Sequence, residues 1–128
     1  MKTSTDPRHV TRRLIVQDLF AYSFDTKQVT KNIIPVIDSL DTIDQEISQA
    51  APEWPLSKIN RIDLAILRLA AFELITVKKE PLKVIIDEAI ELAKEFGAEG
   101  SPAFVNGALG SIVKKFIPDE QQQVQTTT

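Results

Sequence analysis

The segment from Arg61 to about Val77 constrains the fold most, because it is apolar around its whole circumference. Helical spacing puts leucine, isoleucine, alanine and phenylalanine side chains on every side of it. A helix of that kind has no solvent face and must be covered by other elements. The segment therefore predicts a central buried helix, with Asn60 as its N-cap and Asp63 in a capping-box-like position.

The other apolar residues also recur at helical spacings of three and four, and no segment alternates with the period of a strand. Pro81 suits the first turn of one helix and Gly97 its end, while Ser101-Pro102 starts another. We therefore predict an all-α fold of about five helices. The expected helices cover residues 8–24, 29–50, 61–77, 81–96 and 101–117. Pro35 means that the second of these either starts near Asn32 or is kinked at the proline.

Two prolines, Pro52 and Pro55, interrupt the helical pattern and predict a fixed corner at residues 51–57. We expect Trp54, the only tryptophan, to pin this corner against the core. The corner divides the expected domain at 8–117 into two parts. The full division is a flexible lead at 1–7, amino-terminal helices at 8–50, carboxy-terminal helices at 58–117 and a disordered tail at 118–128.

The composition is that of a soluble globular domain, with 43% apolar and 26% charged residues in 128. Cysteine is absent, which excludes disulfides, thiolate metal sites and cysteine nucleophiles. No apolar run approaches the roughly 20 residues of a membrane span, and no signal peptide is evident. We expect a cytoplasmic protein without membrane attachment.

Catalytic patterns are missing from the sequence. It has no glycine-rich phosphate loop, no metal-ligand cluster and no serine elbow. The single histidine, His9, falls in a segment expected to be loose. The sequence therefore indicates neither an enzyme nor a cofactor or metal site.

Charge is distributed unevenly along the chain. The net charge is −3, but residues 1–17 carry +3 and the remainder −6. Arg8, Arg12, Arg13 and Gln17 form two stripes on the first helix, where guanidinium groups could grip phosphates and glutamine could meet a base edge. A localised anion contact fits this pattern better than a broad phosphate-binding face. The alternative is an ordinary solvated helix surface.

Arg68 lies in the middle of the apolar helix, so its charge has to be paired or reach water. We expect a structural ion pair with Glu88 or Glu91 of the following helix, or with Glu73 if the helix is distorted. A role for Arg68 in ligand binding is the alternative.

Two stretches closely resemble the NusB family. One is Trp54-Pro-Leu-Ser-Lys-Ile-Asn-Arg-Ile-Asp63, continuing through Arg68 to Glu73; the other is Asp87-Glu-Ala-Ile-Glu-Leu-Ala-Lys94, continuing to Phe104-Val-Asn-Gly107. The resemblance covers roughly residues 54–116 and is looser in the first helix. The chain departs from the family in its shorter amino-terminal part and its interrupted arginine motif.

The resemblance implies two small perpendicular helical subdomains and a role in transcription antitermination. Proteins of this family bind boxA-type RNA together with NusE, a small ribosomal subunit protein. With other Nus factors they join the RNA polymerase elongation complex and support processive transcription of ribosomal RNA operons. The helix face at Asp63 meets NusE in the family, and we assign Glu73 to the same partner surface.

The last helix offers three further RNA candidates, each with a structural alternative. Phe104 could stack on a base or belong to the core. Ser101 could help the helix start bind an anion or simply cap the helix. Asn106 could hydrogen-bond RNA or tie two helices together, and Gly107 and Gly110 could let a neighbouring helix approach closely.

Two other functions remain open from the sequence. The chain could be a protein-interaction module with little RNA binding, as the thin arginine motif and acidic body suggest. It could also be a detached substrate-binding domain of an RNA methyltransferase, since NusB-like domains precede such enzymes.

Overall fold

The computed structural model describes residues 6–117, and this range contains helices and turns but no strand. The all-α prediction is confirmed, with six α-helices in that range where about five were expected. They are α1 (Pro7–Phe24), α2 (Ile34–Asp38), α3 (Leu40–Ala50), α4 (Arg61–Phe72), α5 (Leu82–Phe96) and α6 (Ser101–Phe116). No helix of the described residues is both long enough and apolar enough for a membrane crossing.

Helix α1 begins one residue earlier than the periodicity indicated. The Asp6 side chain caps it by accepting a 2.8 Å hydrogen bond from the Arg8 N–H, and Pro7 occupies the first turn. Both are favourable N-terminal features. Most of the expected flexible lead, and the whole expected tail at 118–128, lie outside the described residues.

The helix expected at 29–50 is wrong as a single element. Turns occupy the chain before α2, which starts at Ile34, and Ser39 separates α2 from α3. Pro35 has no amide hydrogen, so it is tolerated only in the first turn of a helix. Its position therefore prevents the helix from starting at Val29.

Helix α4 is the central element, as its apolar circumference predicted. Every residue from Asp63 to Ala71 is buried, and α4 contacts α1, α2, α3, α5 and α6. Burying each large aliphatic side chain stabilises the fold by about 1.5–3 kcal/mol. Asn60 caps the start by accepting a 2.9 Å hydrogen bond from the Ile62 N–H.

Beyond α4 the chain continues as a π-helical turn, Glu73–Val77, and ends at Lys78 in the left-handed conformation, with φ at 54°. A left-handed residue after the last turn is a common way to terminate a helix. The turn brings Glu73 to the α1 side of the bundle, where it bonds to Arg12.

The corner at residues 51–57 is not held by its tryptophan. Trp54 is 51% exposed, whereas Ala51 and Ile59, which flank the corner, are each 5% exposed. Prolines restrict the backbone but do not determine which neighbouring side chain faces the core. The expectation that Trp54 packs against the core is therefore wrong.

Arg68 makes a structural ion pair, but with a partner that the sequence did not indicate. Its guanidinium donates two 3.0 Å hydrogen bonds to Asp44 of α3. Glu88 instead bonds to residues of α1, and Glu91 pairs with Lys94 at 3.4 Å. The predicted pairing of Arg68 with Glu88, Glu91 or Glu73 is corrected accordingly, because Arg68 projects from the face of α4 that meets α3.

Candidate nucleic-acid interface

The first half of α1 packs its cationic residues against carboxylates of the helical body. His9 and Arg12 occupy the same buried stripe as Val16 and Leu19. Arg13 is partly buried beside them, with 26% of its side chain exposed. His9, Arg12 and Arg13 therefore meet acidic side chains of the body, whereas Arg8 in the same segment faces solvent.

Arg12 is held by two glutamates. Its Nε and Nη2 donate to the two carboxylate oxygens of Glu73 at 2.9 and 2.7 Å, and its Nη1 donates to Glu88 at 3.3 Å. The hydrogen bond with Glu73 is the main cause that raises the pKa of Arg12, against the opposing effect of burial. Only 8% of the side chain is exposed, so the structure corrects the interpretation of Arg12 as a free phosphate ligand.

His9 lies between two carboxylates, in an ordered and buried position where a loose segment was expected. Its Nδ1 is 3.1 Å from Glu88, and its Nε2 hydrogen-bonds to Glu95. Burial lowers the pKa of His9, but the hydrogen bonds and negative charges of Glu95 and Glu88 outweigh it and raise the pKa above 6.5. An imidazole with an acceptor at both nitrogens is suited to the protonated, doubly donating form.

Glu95 connects α1 with the end of α5. One oxygen bonds to His9, and the other accepts a 3.1 Å hydrogen bond from Arg13 Nε. Burial tends to raise the pKa of Glu95, but the hydrogen bonds from His9 and Arg13 prevail and lower it. Since Glu95 is two residues before Gly97, these contacts bring the cationic end of α1 to the turn between α5 and α6.

Arg8 and Gln17 are the exposed members of the predicted RNA-binding set on α1. The Arg8 side chain is 61% exposed and approaches Asp6 and Glu80 only at 3.6 and 3.8 Å. Ion pairs at such distances in solvent contribute little. The Arg8 guanidinium therefore remains accessible to an anion.

Ser101 is buried at the start of α6, with 2% exposure. Its hydroxyl oxygen accepts a 2.9 Å hydrogen bond from the Ala98 N–H. The burial and this contact correct the interpretation of Ser101 as an RNA ligand, because its side chain holds the turn between α5 and α6.

Phe104 and Asn106 differ in how much of each side chain a ligand could reach. Phe104 is partly buried and packs against the core, which supports a structural role and leaves part of the ring accessible. Asn106 is exposed and its side chain makes no hydrogen bond to another residue of 6–117, so nothing there ties two helices through it. Outside its own helical turn, a Cβ at Gly107 or at Gly110 would meet no atom within 4 Å, so the expected close helix approach at both glycines is wrong.

The predicted partner residues Asp63 and Glu73 are both engaged within the fold. Burial raises the pKa of Asp63, and the nearby Ser101 hydroxyl only partly opposes this effect. The Glu73 side chain is 14% exposed and bonded to Arg12. Their contact with a partner stays a prediction, while the structure assigns each a role in packing.

A groove of about 380 Å³ lies on the other side of α1, between α1 and the π-helical turn. Ile15, Phe72 and Val77 give it an apolar lining, and Arg8 and Glu80 add charges of both signs. Val77 is 43% exposed in it. The groove is therefore a candidate surface for a protein partner, with Glu73 within its lining.

Sequence reasoning missed His9 and Glu95 as components of this site. A signal was present for His9, which lies three residues before Arg12 and seven before Val16 on the buried stripe. The sequence contains no comparable signal for Glu95, because it is one of several charged residues on the polar face of an amphipathic helix. Only the packing of α1 beside α5 identifies its partners.

Comparison with known proteins agrees with this fold. The model of the NusB family matches residues 11–114. Among solved structures, T. maritima NusB superposes with a TM-score of 0.79 at 33% identity, covering 96% of this chain and 99% of that one.

Two proteins, each named Transcription antitermination protein NusB, are similar in sequence. The one from Chloroflexus aggregans is 46% identical over 81 residues, which are 62% of this chain and 54% of that protein. The one from Pseudothermotoga lettingae is 38% identical over 96 residues, 75% of this chain and 69% of the relative. The alignment thus spans little more than half of the C. aggregans protein. The extent of the family match and the agreement in fold lead to one conclusion: the chain belongs to the NusB family.

Proposed function

We propose that this chain is a transcription antitermination factor that binds boxA-type single-stranded RNA together with the NusE ribosomal protein. It would act in the RNA polymerase elongation complex with other Nus factors, on ribosomal RNA operons. The names of its relatives support the antitermination role. The observation that carries the RNA part is the position of the cationic end of α1, where Arg8 is 61% exposed and Arg13 is 26% exposed beside the α5–α6 turn.

The proposed RNA surface runs from α1 across this turn to α6. Arg8 and Arg13 would contact backbone phosphates, and Gln17 would meet a base edge. Phe104 would offer the accessible part of its ring for stacking, and Asn106 would hydrogen-bond an unpaired base. Recognition of single-stranded RNA commonly combines cationic and stacking side chains in this way.

The proposed NusE contact uses the other side of α1. The groove there combines an apolar lining with charges of both signs, as is suitable for a polypeptide surface. Glu73 lies in its lining and Asp63 at the start of α4, so a partner covering both would follow the α1–α4 contact. A partner on this side would leave Arg13, Gln17 and the α6 residues open to RNA, whereas Arg8 lines the groove and lies at the border between the two surfaces.

The decisive experiment is a titration of fluorescent boxA-like single-stranded RNA with the full chain, alone and with purified NusE. Arg13→Ala tests the surface, because it removes a partly exposed cation without breaking the Arg12 pairs. Lys83→Ala is the matched control. It removes one positive charge from the far end of α5, twelve residues or about 18 Å from Glu95.

We expect tighter RNA binding with NusE than without it, and weaker binding by Arg13→Ala at moderate salt. Loss of one phosphate contact lowers the slope of log affinity against log salt by about 0.7 for single strands. Lys83→Ala is expected to bind like the unmodified chain. RNA binding by neither mixture would remove the RNA part of the proposal.

A protein-interaction module with little RNA affinity is the second candidate. It is favoured by a specific observation, namely that His9, Arg12 and Arg13 are all bonded to carboxylates of the same chain. The titration separates the two candidates. The second candidate would be established if the chain binds NusE but binds RNA neither alone nor in the presence of NusE.

A further inference from the structure

We infer that Glu95 occupies the place of an RNA phosphate between His9 and Arg13, and that RNA binds by displacing this carboxylate. The inference rests on the proposed function and deepens it, because it identifies a phosphodiester site that the chain itself covers. Glu95 would then limit RNA affinity, as an internal competitor for the cations that the RNA needs.

The geometry of the cluster supports this exchange. The two oxygens of Glu95 are divided between two cationic side chains, one to His9 Nε2 and the other to Arg13 Nε. A phosphodiester has two non-bridging oxygens and one negative charge, so it can replace a carboxylate in the same pair of contacts. The site is therefore already arranged for an oxyanion of this size and charge.

Glu95 is also the carboxylate of the cluster that can leave most easily. Its side chain is 34% exposed, whereas those of Glu73 and Glu88 are 14% and 1% exposed. Glu88 keeps a contact with His9 and another with Arg12 when Glu95 departs. Displacing Glu95 would thus uncover His9 and Arg13 and leave the buried pairs in place.

The location matches the path proposed for RNA. Glu95 is in the last turn of α5, just before the turn to α6, with Phe104 and Asn106 beyond it. A phosphate at this point would join the contacts of α1 with those of α6. The site is thus the link between the two halves of the proposed RNA surface.

The test is Glu95→Gln, which keeps the size of the side chain and removes the competing charge. Glu91→Gln is the matched control, because it makes the same change one turn earlier on α5. Glu91 is 42% exposed and pairs with Lys94 at 3.4 Å. Circular dichroism and urea titration establish that both variants are folded before RNA is added.

We expect Glu95→Gln to bind boxA-like RNA about 2–5-fold more tightly than the unmodified chain, as for release of one solvent-accessible ion pair. The salt slope should steepen by up to about 0.7, since Arg13 becomes free to release a counterion on binding phosphate. Adding Arg13→Ala to Glu95→Gln should abolish most of the gain. Glu91→Gln should leave affinity and slope close to those of the unmodified chain.

The outcomes separate the inference from the function on which it rests. If the unmodified chain binds RNA and Glu95→Gln binds no more tightly than Glu91→Gln, the inference is overturned and the proposed function stands. An equal gain in both variants would also overturn it, because general charge reduction would explain the result. If no variant binds RNA with or without NusE, the inference and the RNA function are both overturned.

Discussion

Arg68 of α4 and Asp44 of α3 are joined by two parallel hydrogen bonds, Nε to Oδ1 and Nη2 to Oδ2, each 3.0 Å long. This fork geometry is the strongest arrangement available to an arginine and a carboxylate. The pair lies where the amino-terminal helices meet the central helix of the carboxy-terminal part. It therefore orients α3 on α4 as well as neutralising a charge inside an apolar helix.

Replacing Arg68 with methionine should destabilise the protein, because Asp44 would lose its partner at a site where it is only 21% exposed. We expect the free energy of unfolding to fall by about 2–4 kcal/mol, near the range for breaking a buried pair. Urea denaturation measures the change. Lys83→Ala, which breaks a half-exposed pair on α5, should cost less than about 0.5 kcal/mol. Equal effects of the two substitutions would show that the fork adds nothing to stability.

Arg12 and Arg13 are adjacent in sequence but should differ sharply in their effect on stability. Arg12→Ala leaves Glu73 without its bidentate partner and leaves the buried Glu88 with His9 alone, and we expect a loss of about 3 kcal/mol or more. Arg13→Ala breaks only a partly exposed pair, with an expected loss of at most about 1 kcal/mol. Chemical denaturation of both variants measures the two losses in the free energy of unfolding. A larger loss for Arg13→Ala would contradict the assignment of Arg12 as structural.

The pH dependence of stability should report on His9. Its pKa in the folded protein is raised above 6.5, so its stabilising contribution is fully present below pH 6.5. That contribution is lost as the pH rises through the elevated folded value. The free energy of unfolding should therefore decline with pH in this window, and His9→Gln should remove this component of the decline.

Proton NMR gives an independent reading, because His9 is the only histidine and its imidazole resonance can be followed without overlap from others. A folded-state pKa at or below 6.5 would contradict the placement of His9 between two carboxylates. Glu95→Gln should shift the measured pKa of His9 downward, because it replaces one of the two carboxylates with a neutral amide. Glu91→Gln should leave the pKa of His9 unchanged.

Two glycines should respond to alanine in opposite directions. At Gly97 an added Cβ would lie 2.5 Å from Ser101 Cβ and 2.7 Å from the Ala93 carbonyl oxygen, so we expect a loss of about 1–3 kcal/mol. At Gly107, inside α6, the same Cβ would meet nothing within 4 Å, and a gain of about 0.5–1 kcal/mol is expected from helix propensity. Thermal denaturation compares the two, and a gain at Gly97 would contradict the described packing.

Local signals predicted much of the fold. Asn60 and Gly97 were recognised as the start and end of helices, and the structure has them in those positions. Such signals succeed because capping and turn conformations depend on neighbours within a few residues. The same locality explains why a single helix at 29–50 was wrongly predicted. The apolar periodicity continues across Ser39, but the backbone leaves the helical conformation there.

The candidate site was predicted only in part. Arg8 and Gln17 are exposed as expected, whereas Arg12 and Ser101 are buried and bonded inside the fold. Residue type and helical position do not show which face of a surface helix meets the body. The sequence alone therefore does not distinguish a charged residue on the buried stripe of α1 from one that faces solvent.

What the sequence determined by itself was the class of fold and the central place of α4, because the burial of an entirely apolar helix follows from its own side chains. Tertiary structure alone decided which charges meet: Arg68 with Asp44, and Glu95 with His9 and Arg13. The physical reason is the length and flexibility of the charged side chains. A long charged side chain can contact any of several carboxylates, and only the packing of whole helices brings one of them within about 3 Å.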